Sequence, residues 1–390
     1  YSCDAPIELG QILLFGQPLA YAGQSALICE TQPSYYLTDA TAAYDSTRLW
    51  TTSGTGTFDN DTLVNPVYTP SVADIANGSV ILTFTVYGKD PCPVVADSMI
   101  LSISRQAIAD AGRDTTICQT SGSVYLPTAN AIFATSLSWT SSGTGTFVDP
   151  KVMNPVYLPS IADITAGSVI LTLTATSASP CATVSDNMTL NITRQAEASA
   201  GPGDRICETQ TAYTLAGATA QYYTSLGWTT SGNGTFSNPN ILNPDYLPGT
   251  VDIAAGSVTL TLTAYGIVPC ADSTSSMILN ISRQAIADAG QDTTICQTSG
   301  SVYLPTANAV FATSLSWTSS GTGTFVDPTV LNPVYMPSFA DITAGSVILT
   351  LTTTSAAPCA TVSDNMTLNI SRQAEASAGP GDRICETQTA

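Results

Sequence analysis

The cysteines of this chain fall on two interleaved series, and each advances by 89 residues: Cys29, Cys118, Cys207, Cys296 and Cys385 in one, Cys3, Cys92, Cys181, Cys270 and Cys359 in the other. Tryptophan keeps the same step at Trp50, Trp139, Trp228 and Trp317, and arginine keeps it at Arg105, Arg194, Arg283 and Arg372. No insertion or deletion breaks the register, so a tandem array of one unit is the first constraint on the fold. Loops absorb length changes at small thermodynamic cost. A gapless register therefore reflects recent duplication or selection on the spacing between units, and the second of these points to a fibre. A longer period lies over the first: the stretch RQAEASAGPGDRICETQTA beginning at Arg194 recurs unchanged from Arg372, so the units alternate as two subtypes with a superperiod of 178.

The period sets the expected organisation. Residues 20–108, 109–197, 198–286 and 287–375 form repeats 1 to 4, each long enough for its own core. Residues 1–19 read as the closing strand of a preceding or incomplete unit, with Ile12-Leu13-Leu14-Phe15 in the register of that strand, and residues 376–390 as the opening strand of a fifth. Both ends thus fall inside a repeat. The chain reads as a window on something longer, or as a subunit whose ends its neighbours complete, with Cys3 and Cys385 as candidates for bonds between chains.

A tenth of the residues are charged, histidine is absent and the net charge is -19. With no basic patch to neutralise phosphates, nucleic acid is excluded as a partner. Ten cysteines without a CxxC pair or any histidine fit disulfides rather than zinc, which implies an oxidising, extracytoplasmic compartment. No signal peptide stands at Tyr1, and no apolar run reaches the ~18 residues of a membrane span, so the chain reads as exported, extracellular or cell-surface material. Pairs inside each repeat lead the expected connectivity: Cys29–Cys92, Cys118–Cys181, Cys207–Cys270 and Cys296–Cys359. Each closes a loop of about 63 residues, worth roughly 4 kcal/mol in the chain-entropy model. A geometric objection stands against it. Simple sandwich topology can put the two cysteines at opposite ends of a unit, and a brace between neighbours such as Cys29–Cys181 then fits better.

In repeat 2, Val169, Leu171 and Leu173 alternate with Thr172 and Thr174, and Met188, Leu190 and Ile192 alternate with Thr189, Asn191 and Thr193. That is the period of a half-buried strand. Leu137 and Trp139 form a third inward pair, the glycines after them suit a tight turn, and Asn154-Pro155-Val156-Tyr157 and Tyr125-Leu126 mark two more short strands. No segment shows helical periodicity. Six or seven short strands in 89 residues predict an all-β chain, a tandem array of immunoglobulin-like β-sandwiches forming an elongated rod. At about 35–40 Å a unit, four make roughly 150 Å. The Asp-Ile-x-x-Gly-Ser element at Asp74, Asp163, Asp252 and Asp341 reads as a turn whose carboxylate accepts a backbone N–H. A calcium site there needs several more oxygen ligands, and no clustered acidic run supplies them.

Chemistry is hard to build from this inventory. Without histidine there is no Ser-His-Asp or Cys-His site, and cysteines recurring at strand ends are structural. A paired-carboxylate site is undercut because acids shift between subtypes: Glu208 stands where Gln119 does, Ser275 where Asp186 does. No catalytic residue, cofactor or metal ligand is assigned, and the chain is read as no enzyme. Trp50, Trp139, Trp228 and Trp317 are in phase with inward leucines and are assigned to the cores. Tyr68, Tyr157, Tyr246 and Tyr335 suit either edge packing or a stacking surface. Asn187, Asn191, Asn280, Asn365 and Asn369 open N-x-S/T glycosylation patterns on outward positions.

The ordered set Ala111-Gly112-x-Asp114, Ile117-Cys118, Trp139 with SSGTGTF, NPVYLPS, ADITAGSV, LTLTA, PC and a closing Asp-x-Met-x-Leu-x-Ile resembles the PKD-like and Ig-like repeats of very large surface proteins from gliding bacteria with type IX secretion. The resemblance covers residues from about 20 to the end. Ser25 and Gly203 replace Asp114 in the other subtype, so that aspartate is no fixed ligand. It implies an exported adhesin, filament or spacer array and no chemistry. In that setting Asp97-Ser98-Met99 and Asp114-Thr115-Thr116 look like the short bacterial glycosylation sites of such proteins. The expected function is structural and adhesive: disulfide-bonded sandwiches, packed end to end and laterally, that build or decorate a filament. Self-association is the expected partnership. The alternatives are a module array holding surface glycans or host proteins through exposed aromatics, and a passive spacer stalk.

Overall fold

The computed structural model describes residues 14–376. Repeat 2 shows how each unit closes. In the strand Ser168–Ser177, Val169, Leu171, Leu173 and Ala175 point inward and are buried, while the threonines between them stay half-exposed. This strand lies within a four-stranded sheet in the order Thr115–Cys118, Val184–Thr193, Ser168–Ser177, Ala134–Ser141. The first pair runs parallel and the other two pairs antiparallel. A three-stranded sheet of Val124–Tyr125, Val156–Leu158 and Thr146–Phe147 shares one core with it, and Ile108–Asp110 pairs with Asn130–Ile132. The same sheets recur in every repeat, so the chain is an all-β tandem array of Ig-like sandwiches. The first strand of each sandwich opens at Leu19, Ile108, Glu197 and Ile286, one residue ahead of the boundary the period suggests.

The described residues fall into two compact units. One runs to Arg194 and takes in Val268–Cys270; the other comprises Gln195–Ile267 and the residues from Ala271 onward. In the first, the cores gather around Trp50 and Trp139, which are 2% and 3% exposed; in the second, around Trp228 and Trp317, at 4% and 3%. Trp50, Trp228 and Trp317 donate their indole N–H to carbonyls of Leu63, Leu242 and Leu331, so the one polar atom of each ring is satisfied inside the core.

Among the described residues four short α-helices interrupt the β pattern: α1 (Val72–Asn77), α2 (Ile161–Ala166), α3 (Thr250–Ala255) and α4 (Phe339–Ala344). Six residues are fewer than two turns, which leaves a 3.6-residue period nothing to repeat. Their signal is the cap instead. Ser160 accepts from the Asp163 N–H, the Asp163 carboxylate accepts from the Ser160 N–H, and Gly167 ends the helix at φ 80°.

Residues 14–18 form no strand, and Leu14 is 92% exposed, so the described part of the expected closing strand is not one. Phe15 beside it is also exposed, and the parallel partner of the last strand of repeat 1 is supplied from within the repeat, by Ala26–Cys29. Ile12, Leu13 and Cys3, and Cys385 with the opening strand assigned to 376–390 save Ala376, lie outside the described residues.

Candidate functional site

Parallel pairing of the second strand with the last one decides where the cysteines go. Cys118 lies opposite Thr193, the final residue of the strand Val184–Thr193, at the exit end of repeat 2. Cys181 precedes that ten-residue strand and so sits at its entry end. Two cysteines separated by the length of such a strand, about 33 Å, cannot approach the ~5.5 Å Cα spacing of a disulfide. The pairs inside repeats therefore do not form: Cys29 does not bond Cys92, Cys118 does not bond Cys181, Cys207 does not bond Cys270 and Cys296 does not bond Cys359. The bonds are Cys29–Cys181, Cys118–Cys270 and Cys207–Cys359, each with Cα atoms 4.9 Å apart and a sequence separation of 152. They link the exit end of one repeat to the entry turn of the next. Cys92 and Cys296 carry free thiols, and Cys296 is exposed.

Polar chemistry surrounds these bonds. In the first unit the Glu30 carboxylate accepts from the Arg105 Nε–H at 2.7 Å and from the Gln106 N–H at 2.7 Å. The Arg105 guanidinium lies 4.3 Å from the centroid of the Phe133 ring. Phe133 itself holds φ 58°, a left-handed conformation that costs a bulky residue strain and persists where the surroundings impose it. Ser104 donates to the Ser179 carbonyl at 2.8 Å, and the buried Ala107 donates its N–H to Ser177 Oγ at 2.9 Å. The second unit repeats the set: Glu208 with Arg283 at 2.8 Å, Arg283 over Phe311 at 4.4 Å, Ser282 to the Ala357 carbonyl, and Ala285 N–H to Ser355 Oγ. The chain linker and the disulfide thus run side by side, with hydrogen bonds between. Sequence reasoning noticed the exchange of Glu208 for Gln119 only as an argument against a carboxylate pair. That glutamate in fact anchors the linker.

The aspartate of the Asp-Ile-x-x-Gly-Ser element is a structural knot. Asp163 is 2% exposed. Its Oδ1 accepts from the Thr144 N–H at 3.0 Å; its Oδ2 accepts from the N–H groups of Gly145 and Ser160 and from the Tyr157 hydroxyl at 2.8 Å. Burial pushes this carboxyl up, but the donors at Ser160, Tyr157 and Thr144 outweigh burial and hold it below its usual range. The Tyr157 phenol is pushed up to about 12, by burial first and by its bond to Asp163. Any side chain at Gly143 or Gly145 would collide with the Asp163 carboxylate or the Tyr157 hydroxyl, which explains the SSGTGTF spelling. Tyr68, Tyr157, Tyr246 and Tyr335 are fully buried in these knots and offer no stacking surface. Among the described residues no group of His, Cys, Asp or Glu side chains is placed to hold a metal ion, and no helix is long and apolar enough to cross a membrane.

Other aromatics do face outward. Tyr125 and Tyr303, each 57% exposed, flank clefts of about 260 and 220 Å³ beside Asp114 and Asp292, floored by Met188 and Met366. Asn187, Asn191, Asn365 and Asn369 are exposed on the last strands of their repeats, and Asn280 is half-buried.

No family model matches the chain, and no curated protein does. Among solved structures it is similar to the N-terminal eight Ig domains of Down Syndrome Cell Adhesion Molecule, at 11% identity and a TM-score of 0.43, covering 92% of this chain and 49% of that one. It is also similar to the protocadherin gammaB7 EC3-6 cis-dimer structure, at 12% identity and 0.36, covering 91% of this chain and 100% of that chain. Drosophila N-cadherin EC1-4 matches at 9% identity and 0.33, covering 90% and 99%.

Proposed function

We propose that this protein is an exported structural and adhesive array whose disulfide-braced sandwiches join end to end, and pack laterally, into a surface filament. The observation that carries the reading is the junction: a linker, a parallel disulfide and a buried hydrogen-bond set hold neighbouring repeats together in each compact unit. Of the buried polar side chains, Ser177, Ser282 and Ser355 tie neighbouring repeats together, while the four aspartates each tie up one sandwich. The free thiols extend the pattern. Thr298 donates to Cys296 Sγ at 3.2 Å, as Thr31 does to Cys29 and Thr120 to Cys118, and the turn closed by Cys92 N–H on the Lys89 carbonyl matches that of Cys181 on Ala178. Each is half of the bond seen elsewhere, so Cys296 of one copy and Cys92 of the next are the natural end-to-end pair.

The test uses a background in which Cys3 and Cys385 are serine. Oxidised by glutathione disulfide, that chain should give a ladder on a non-reducing gel and filaments by electron microscopy. Cys92→Ser and Cys296→Ser should each stay monomeric alone and give only dimers when mixed. A monomer in sedimentation with both thiols still titratable would sink the filament reading and leave a spacer stalk. The clefts at Tyr125 and Tyr303 favour one second reading, an array that holds surface glycans or host proteins by ring stacking. Glycan-array binding lost in Tyr125→Ala and Tyr303→Ala would support it.

A further inference from the structure

The stagger of the disulfides has a topological effect that no single bond has. From Cys181 the chain runs 27 residues to Cys207, and from Cys92, 27 to Cys118; Cys270 to Cys296 is the same length. Each such segment begins at a disulfide with the preceding repeat or its equivalent and ends at one with the following repeat or its equivalent. Segment joins segment through the bonds: residues up to Cys29 lead to 181–207 and on to 359, and residues 92–118 lead to 270–296. Of the 27 residues from Cys181 to Cys207, 17 already lie in the strands Val184–Thr193, Glu197–Ser199 and Asp204–Cys207, so the segment holds little slack.

We infer that the array is two covalent threads, offset by one repeat, and that unfolding cannot stretch the oxidised chain beyond the length of the shorter thread. The shortest covalent path from Pro18 to Ser371 takes 12 residues to Cys29, 27 from Cys181 to Cys207 and 13 from Cys359, which is 52 of the 354 residues between those points. Fully stretched, 52 residues reach roughly 170–190 Å, and 354 reach roughly 1,200 Å. Load applied along the chain passes through bonds that thermal unfolding cannot open, and the bulk of each sandwich hangs beside the path as an unloaded loop. Reduction removes the restraint. A dithiol passes two electrons to each disulfide, which yields two protein thiols while the reductant closes to its own disulfide, and the reach rises about sevenfold. None of this requires the array to assemble.

Single-molecule pulling of the full chain, with handles on both ends, tests the inference. The oxidised protein should show no unfolding step near the ~300 Å that one freed repeat would release. With dithiol present such steps should appear. Two double variants separate threading from mere loss of stability. Cys29→Ser with Cys181→Ser cuts the shorter thread and lengthens the end-to-end path from 88 residues to 214, a more than twofold gain in reach. Cys118→Ser with Cys270→Ser removes one bond of the same kind yet leaves that path intact, so its reach should equal the parent's. Full-length steps in the oxidised parent, or equal lengthening in both variants, would overturn the inference.

Discussion

Replacing Asp163 with alanine removes a carboxylate that is 2% exposed and takes an acceptor from four donors: the N–H groups of Thr144, Gly145 and Ser160 lose theirs, and the Tyr157 hydroxyl retains Ser141 Oγ at 2.8 Å. A buried donor left unpaired costs about 1–3 kcal/mol. Two to three fully desolvated donors bring the loss to about 3–6 kcal/mol. A sandwich of this size holds about 4–13 kcal/mol in total, so repeat 2 should open locally while its neighbours stay folded. Repeat 4 is the internal control, because Ser338, Tyr335, Thr322 and Gly323 surround Asp341 in the same way. Hydrogen exchange on peptides from both repeats should show strand amides of repeat 2 exchanging about 100-fold to 10,000-fold faster in Asp163→Ala, with repeat 4 unchanged. Asp163→Asn should fall between parent and alanine, since its amide oxygen can serve Gly145, Ser160 and Tyr157 at the Oδ2 position while its NH2 then faces the Thr144 N–H. Protection in repeat 2 that stays within threefold of repeat 4 would refute the knot as the source of stability.

Trp139→Ala leaves a cavity beneath Phe147, whose ring lies 5.8 Å away, and should cost about 3–5 kcal/mol by denaturant unfolding. Loss of a ligand without loss of stability would move the tryptophan to a binding role. The aspartate knots also set the acid limit. Asp74, Asp163, Asp252 and Asp341 all titrate below the ordinary 3.8, so their stability is complete above that value and is lost as pH falls through their lower native range. Their tyrosine partners, raised from 10.0 to about 12, give the mirror effect: their stability is complete below pH 10 and is lost as pH rises toward 12. A melting-temperature profile that stays flat from pH 5 down to 2 would contradict the first half.

The sandwich was legible because its long strands alternate cleanly: Val169, Leu171 and Leu173 inward, Thr172 and Thr174 outward. The tryptophans followed by phase. The disulfide partners were not legible, because spacing along the chain says nothing about which end of a sheet a cysteine reaches; that depends on Thr115–Cys118 running parallel to Val184–Thr193, and a four-residue strand carries no signal of direction. The helices hid for want of length, although Ser160 and Asp163 three residues apart are a capping pair that could have been read. The junction acids were visible as a substitution in step with the 178-residue period. What could not be read was that Glu30 and Phe133, 103 residues apart, hold the same arginine from two sides.

That alternation bears on how such a gene changes length. Repeats 1 and 3 end on Glu30 and Glu208 and receive on Gly88 and Gly266; repeats 2 and 4 end on Gln119 and Gln297 and receive on Ser177 and Ser355. The seryl hydroxyl takes the linker N–H of Ala107 or Ala285, and a glycine has nothing to offer in its place. Unequal crossing-over that removed one repeat would keep every cysteine in step yet set a glutamate-ended sandwich before a glycine-receiving one. Recombination between near-identical copies therefore preserves the junctions only in whole pairs, and the heritable unit of growth is 178 codons.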